Sequence, residues 1–249
     1  MIHLKSKREI QEMKKAGELL AYIHSQIKEM IKPGVTTWEI DQLSHKIMKD
    51  HGAIAQQIGY NGYKYATCAS INDEICHGFP RKKPLLEGDI VTIDMVVNLN
   101  GYLADSAWSY GVGLIDDKAQ QLLDVTKKSL YLGIEQAQVN NRTGVIGHAI
   151  QSYVEPLGYS VVREFSGHGI GQDMHEDPMI LHYGKANKGV RLQEGMVITI
   201  EPMINIGHWK SSLDDDGWTA RTIDGSLSAQ FEHTIAITAE GPLILTEQK

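Results

Sequence analysis

Cysteine is nearly absent. The 249 residues contain two, Cys68 and Cys76, outside any Cys-x-x-Cys spacing. That excludes a disulfide framework, argues against a zinc–thiolate site and fits a reducing, cytoplasmic setting. Runs of positive charge are missing too. With 24 Lys+Arg against 31 Asp+Glu the formal net charge is −7, so neither nucleic acid nor an anionic membrane is the expected partner. No stretch approaches the ~20 consecutive apolar residues of a membrane helix, and the first ten residues lack the apolar centre of a secretory signal. Linkers and low-complexity segments are also missing, so residues 1–249 read as a single domain. A hydrophobic content of 42% is enough to give that domain a core.

What is present is a repeat. Residues 87–94 read E-G-D-I-V-T-I-D and residues 194–201 read E-G-M-V-I-T-I-E, with six of eight positions identical or exchanged only between Ile and Val. Each copy is an apolar, β-branched run opened by Glu-Gly and closed by an acid, Asp94 or Glu201. That pattern reads as a buried strand delivering a carboxylate at its end. Buried carboxylates are costly unless paired or bound to a cation. Two such strands in two halves of one chain therefore point to related half-domains facing a metal.

The intervening pattern agrees. Residues 6–31 carry Ile10, Met13, Leu20, Ile23, Ile27 and Ile31 at helical spacing, stopped by Pro33-Gly34. Thr36-x-x-Glu39 is a capping box opening a second helix that ends near Gly52. Strand patterns follow at residues 67–71, 90–97 and 102–110, the last two joined by a turn at residues 98–101. Helical patterns return over residues 116–139 and 143–157, and from Ser160 the chain reads as strands and Gly-rich loops. This order predicts an α+β protein given twice, without the strict alternation of a Rossmann fold.

Further acids and imidazoles join the repeat. The hairpin is expected to set Asp94 and Asp105 side by side, where they repel unless something positive lies between them. Glu201 precedes Pro202, and Glu232 falls within an apolar strand pattern over residues 229–237. His168, in Ser166-Gly-His-Gly-Ile-Gly171, has glycines on both sides that expose its ring. The run is weak as a phosphate loop, because no Lys-Ser/Thr follows. His77 and His175 lie in loops beside Gly or Pro, whereas His24, His45, His51 and His148 fall on helical patterns and read as surface or packing residues. One imidazole and four carboxylates form a hard, oxygen-rich set. It suits Mn(II), Fe(II), Co(II) or Zn(II) in a two-metal cluster, and it exceeds what a single catalytic zinc uses.

With these residues in their surroundings (Val91-Thr-Ile-Asp94, Ala104-Asp-Ser106, Gly167-His-Gly169, Thr199-Ile-Glu-Pro202, Gln230-Phe-Glu-His233) the chain resembles the type I methionine aminopeptidases over nearly its whole length. His77, in Ile71-Asn-Asp-Glu-Ile-Cys-His-Gly78, and His175, in His175-Glu-Asp-Pro178, match that family's substrate histidines. The resemblance implies the pita-bread fold: α+β, two pseudo-symmetric α/β halves with antiparallel sheet around a dinuclear metal site. It implies two divalent metal ions (Co, Mn, Fe(II) or Zn), with Asp94 on one, His168 and Glu201 on the other, and Asp105 and Glu232 bridging. Catalytic roles then fall on His77, His175 and Glu201. Glu201 would relay the proton of the attacking water, His175 would donate to the scissile carbonyl, and His77 would meet the amide nitrogen.

The methionine pocket implied by the resemblance maps onto Tyr60, Tyr63, Cys68, Met174 and Trp218, with His77 and His175 beside it. Three positions depart from the family's usual residues: Met174 for Phe, Gln57 for Cys and Ser106 for Thr. They leave pocket shape and inhibitor preference open and the metal chemistry intact. The implied activity is removal of the N-terminal methionine from nascent proteins and peptides when the second residue is small. The partners are those N-terminal peptides, met near the ribosome by a cytoplasmic monomer. Proline-specific peptidases of the same fold are the alternative; they usually carry an added N-terminal domain, for which this chain has no room.

Overall fold

The computed structural model describes residues 2–248. Its first half opens with α1 (Lys7–Met30) and α2 (Thr37–Asp50). Both begin on a complete capping box, Ser6 with Glu9 and Thr36 with Glu39, so two otherwise orphaned N–H donors are satisfied at each start. Then come β1 (Ile54–Ala55), β2 (Cys68–Ile71) and β3 (Glu74–Cys76), followed by the long hairpin of β4 (Ile90–Leu99) and β5 (Tyr102–Gly111). Asn100 at φ 56 and Gly101 at φ 86 make its turn, the paired positive φ values a two-residue hairpin requires. β4 pairs with β5 along one edge and with β2 and β1 along the other, all antiparallel.

The second half repeats the plan. Its helices are α3 (Asp117–Glu135) and α4 (Thr143–Val154), followed by β6 (Ser160–Val161), β7 (Gly167–Gly169), β8 (Glu176–Ile180), β9 (Val197–Ile200) and β10 (Met203–Asn205). The hairpin β11 (Ser211–Leu213) and β12 (Ala220–Thr222) and the strands β13 (Ser228–Gln230), β14 (His233–Thr238) and β15 (Gly241–Ile244) complete it. A five-stranded sheet runs in the order β15-β14-β9-β7-β8. The second copy of the repeat lies in β9 as the first lies in β4, with β14 and β7 where β5 and β2 stand. The pseudo-symmetric α+β architecture is therefore as expected.

Each half has its own core. α1 and α2 pack Leu20, Ile23, Ile27 and Ile40 against Val91, Ile93 and Met95 of β4. α3 and α4 set Leu122, Leu130, Ile146 and Ile150 against Ile198 and Ile200 of β9 and Ile235 of β14. Burying one such side chain contributes about 1.5–3 kcal/mol. Because side chains alternate along a strand, Ile93 and Met95 face the helices while Asp94 faces away from them. The same alternation turns Glu201 away from Ile200. Apolar packing on one face thus fixes the acids on the other.

Hydroxyl groups join the halves. Ser106 Oγ donates to Glu232 O at 3.1 Å, Ser109 Oγ to Gln230 O at 2.8 Å, and Thr234 Oγ1 to Asp105 O at 2.8 Å. Ser106 is fully buried in this seam, on the face of β5 opposite Asp105. Both later helices are shorter than their patterns. After Glu135 the chain tightens, with Gln136 N–H and Ala137 N–H bonded three residues back. α4 gives way to a 3₁₀ turn, Glu155–Leu157, at Pro156, which has no N–H to continue the helix.

Candidate metal centre and its cleft

Asp94, Asp105, His168, Glu201 and Glu232 all line one cleft of about 740 Å³. In the hairpin Asp94 stands opposite Ala107 and Asp105 opposite Val96. The aspartates are therefore diagonal neighbours on one face, and the side-by-side pairing expected from the turn is corrected by this register; the diagonal still leaves them within mutual reach. Glu201 follows directly after β9. Glu232 does not sit mid-strand as its apolar surroundings suggested. The strand breaks at residues 231–232 between β13 and β14, and there Glu232 N–H donates to Ala107 O of β5 at 2.8 Å. The β9–β14 ladder ends with His233 opposite Ile200, so Glu201 and Glu232 meet just beyond it.

His168 belongs to a strand and not to a loop. A methyl group on Gly167 would come within 2.5 Å of Thr199 O, and one on Gly169 within 2.2 Å of Asp177 O. The two glycines let β7 fit between β9 and β8. His168 Nδ1 lies 2.9 Å from Gly169 O, a contact that needs the proton on Nδ1. Nε2 then presents a lone pair toward Glu201 Oε1 at 3.6 Å and Asp105 Oδ2 at 3.8 Å. A lone pair facing two carboxylates is repulsive unless a cation stands among them.

Two further observations fit a cation. Asp105 Oδ1 and Glu232 Oε1 are buried without a hydrogen-bond partner, and ligand atoms of Asp105, His168 and Glu232 lie within 4.8 Å of one another. Burial pushes the Asp94 carboxyl up to about 7 and those of Asp105, Glu201 and Glu232 well above the carboxylate range. Repulsion among the acids adds to this at Asp105 and Glu232. Burial likewise lowers His168 to about 4, so the ring is neutral and able to coordinate. The donor set of oxygens and one imidazole suits divalent ions of the Mn, Fe, Co and Zn group.

Supporting residues escaped the sequence reading. Thr199 Oγ1 donates to Glu201 Oε1 at 2.8 Å and accepts from His168 N–H at 3.0 Å. Its place in the repeated Thr-Ile-acid motif was a usable signal. His182, which burial depresses to about 3, accepts the Glu201 N–H at 3.1 Å. No motif marks it. Phe165 and Met203 line the cleft as well.

The remaining expected residues form the cleft walls. Tyr63 donates its hydroxyl to Thr67 O at 3.0 Å and meets Trp218 at 4.9 Å between ring centres. Cys68 stands opposite Asp94 in register, and Met174 is buried beside the cleft. His77 adopts φ 58 and packs edge-on against Phe165 at 5.4 Å; burial lowers it to about 4. His175 packs on His168 with 4.4 Å between ring centres. Its Nδ1 lies 2.8 Å from the hydroxyl of Tyr60, which stands half-exposed at the cleft rim.

One ion-pair network ties two of these walls together. Strand β12 pairs with β3, and Arg221 on β12 reaches Asp73 at 3.0 Å, Glu74 at 2.7 Å and Asp214 at 2.7 Å. Arg81 also contacts Glu74. The segment leading to His77 is thus fixed to the hairpin that carries Trp218.

Known proteins resemble the chain at each level. The profile of metallopeptidase family M24 matches residues 11–239. Methionine aminopeptidase 1 of Bacillus subtilis is 50% identical over 246 residues, 99% of this chain and 99% of that protein. The crystal structure of methionine aminopeptidase from Rickettsia prowazekii superposes with a TM-score of 0.98 at 44% identity, covering 99% of this chain and 100% of that one. A prolidase from Pyrococcus furiosus is more distant, with a TM-score of 0.80, 25% identity and 66% of its own length covered. The chain belongs to metallopeptidase family M24, whose reliance on divalent metal the buried carboxylates and imidazole of this cleft fit.

Proposed function

We propose that this chain is a methionine aminopeptidase, a single catalytic domain over residues 1–249. It removes the N-terminal methionine of nascent proteins and peptides whose second residue is small, acting as a cytoplasmic monomer near the ribosome. The observation that carries this reading is the adjacency of a metal-fitting cluster and an apolar, sulfur- and aromatic-lined recess, joined where Cys68 faces Asp94. The B. subtilis relative, 50% identical over 99% of both chains, supports it, whereas the prolidase is 25% identical and matched over 66% of its length.

In this reading Asp94, Asp105, His168, Glu201 and Glu232 hold two divalent ions. When bound, these ions supply positive charge that acidifies a water and polarises the scissile carbonyl. A substrate amine near Asp94 would leave the first side chain against Tyr63, Cys68, Met174 and Trp218. Glu201, oriented by Thr199 and His182, takes and returns a proton at its carboxylate. His175 has Nδ1 engaged by Tyr60, so Nε2 is the atom that donates to the carbonyl oxygen as charge develops there. His77 meets the amide nitrogen, and its loop limits the size of the second residue.

A peptide panel tests the reading. Metal-loaded protein should cleave Met-Ala-Ser and Met-Gly-Ser, resist Met-Arg-Ser and Met-Leu-Ser, and leave Ala-Pro peptides intact. Equal rates on Met-Ala-Ser and Met-Arg-Ser would remove the claimed selectivity. Preference for Ala-Pro would favour the proline-specific alternative.

A further inference from the structure

The segment ahead of α1 is tied to the second half of the chain. Lys5 N–H donates to Gly195 O at 2.7 Å, at the start of the second copy of the repeat. A methyl group on Gly195 would come within 2.8 Å of Lys5 O, so the segment lies close on that turn. The Lys5 ammonium then pairs with the Glu176 carboxylate, and each side chain is only 9% exposed. Nζ also donates to His3 O at 3.1 Å.

Glu176 follows His175 and opens β8, where its backbone is held in register with Gly169. The loop before it, residues 171–175, lies outside helix and strand. The Glu176 carboxylate gives that loop an acceptor: Oε1 takes the N–H of Gln172 at 3.1 Å and of Asp173 at 3.4 Å, while Oε2 takes Lys5. Gly171 makes room for the pair, since a methyl group there would lie 2.5 Å from both Glu176 Oε1 and Lys5 Cε. A buried carboxylate stripped of its cation is strongly destabilised. Without Lys5 it gains by turning to water, and the loop amides lose their acceptor. Met174 and His175 are the next two residues of that loop. The Tyr60 hydroxyl acts on the His175 ring; the Glu176 carboxylate acts on the backbone that carries it.

We infer that Lys5, acting through Glu176, is a positioning residue for His175: the segment ahead of α1 fixes the loop from which that imidazole reaches the scissile carbonyl. The inference rests on the aminopeptidase reading and adds to it a residue that touches no substrate. A group displaced by about 1 Å can cost up to about 10²-fold in rate. Loss of Lys5 should therefore cost a part of what loss of His175 itself costs.

The test is a double-mutant cycle on metal-loaded protein, with amide hydrogen exchange measured alongside. Lys5→Met keeps an unbranched side chain and removes its charge. It should lower kcat on Met-Ala-Ser by about 5- to 50-fold with metal content retained. Where His175 is already alanine, the same substitution should lower kcat by less than about twofold. A residue that only stabilises the fold would give the same ratio in both backgrounds. The amides of Gln172 and Asp173 should exchange at least about tenfold faster in Lys5→Met than in the wild type, with those of β9 unchanged. Should Lys5→Met not fold, Glu176→Ala, which removes the acceptor together with its charge, goes through the same cycle. Wild-type kcat in the variant, an equal proportional loss in both backgrounds, or unchanged exchange at residues 172–173 would overturn the inference. Failure of the wild-type protein to cleave Met-Ala-Ser would instead sink the aminopeptidase reading, and the exchange comparison would still decide whether Lys5 holds the loop.

Discussion

The hydroxyl of Tyr60 and Nδ1 of His175 lie 2.8 Å apart, joining residues 115 positions distant in the chain. Tyr60 occupies a tight turn closed by Gly59 N–H to Tyr63 O at 2.8 Å and Tyr63 N–H to Tyr60 O at 2.9 Å, which hold its backbone in place. The bond fixes the rotation of His175, and a Tyr60 hydroxyl that donates to Nδ1 leaves the ring proton on Nε2. Tyr60→Phe should therefore lower kcat on Met-Ala-Ser by about 3- to 10-fold, the worth of one hydrogen bond, with a smaller change in KM. Steady-state kinetics check this; an unchanged kcat would show that His175 orients without help.

His175→Ala removes the proposed donor to the carbonyl oxygen. Its hydrogen bond strengthens only as that oxygen becomes anionic, so kcat should fall by about 10²–10³-fold while metal content and fold are retained. Metal counting alongside kinetics decides between roles. Lost metal would make His175 a ligand, and wild-type turnover would make it a bystander.

Stability of the metal-free protein should carry the mark of Asp94. Its folded carboxyl is raised to about 7 against an ordinary value of 3.8, with burial as the first cause. A raised acid contributes stability that is full below the ordinary value and is lost as pH rises through the folded one. In chelator, wild-type protein should thus lose stability relative to Asp94→Asn between about pH 4 and pH 8. Urea midpoints at a series of pH values measure the difference. Metal affinity should rise over the same window, because each ligand must shed its proton first. A gap between the two proteins that does not change with pH would contradict the assigned burial.

Much of the site was legible because it is local. Asp94 and Glu201 come from a repeat visible by inspection, and His168 from glycines whose absent side chains admit neighbouring backbone. What was not legible depends on the other half of the chain. The break at Glu232 exists because its N–H is taken by Ala107, 125 residues earlier. The place of Ser106 depends on the seam between the halves, where its hydroxyl donates to Glu232 O. His182 acts through a ring nitrogen on a backbone N–H, a role with no sequence pattern. The diagonal offset of Asp94 and Asp105 follows from the register set by Asn100 and Gly101, and the turn alone did not reveal it.

Arg221 should act at a distance. Arg221→Met leaves Glu74, 2% exposed, with Arg81 as its remaining cation and frees the Trp218 hairpin from the His77 segment. Loss of a buried charge partner of this kind costs about 3–5 kcal/mol where no substitute exists. With Arg81 retained, the loss should be a part of that. Thermal melts should show the destabilisation, and KM for Met-Ala-Ser should rise more than kcat falls. An unaltered KM would separate the network from the pocket.

If five convergent side chains hold two divalent ions, metal counts by mass spectrometry will show it most directly, on dialysed wild-type protein and Glu232→Ala, each titrated with Co(II) or Mn(II) after chelation. Two ions are expected per wild-type chain, at most one in the variant, with turnover of Met-Ala-Ser by the variant near background. Two tightly held ions and normal turnover in Glu232→Ala would remove Glu232 from the metal site.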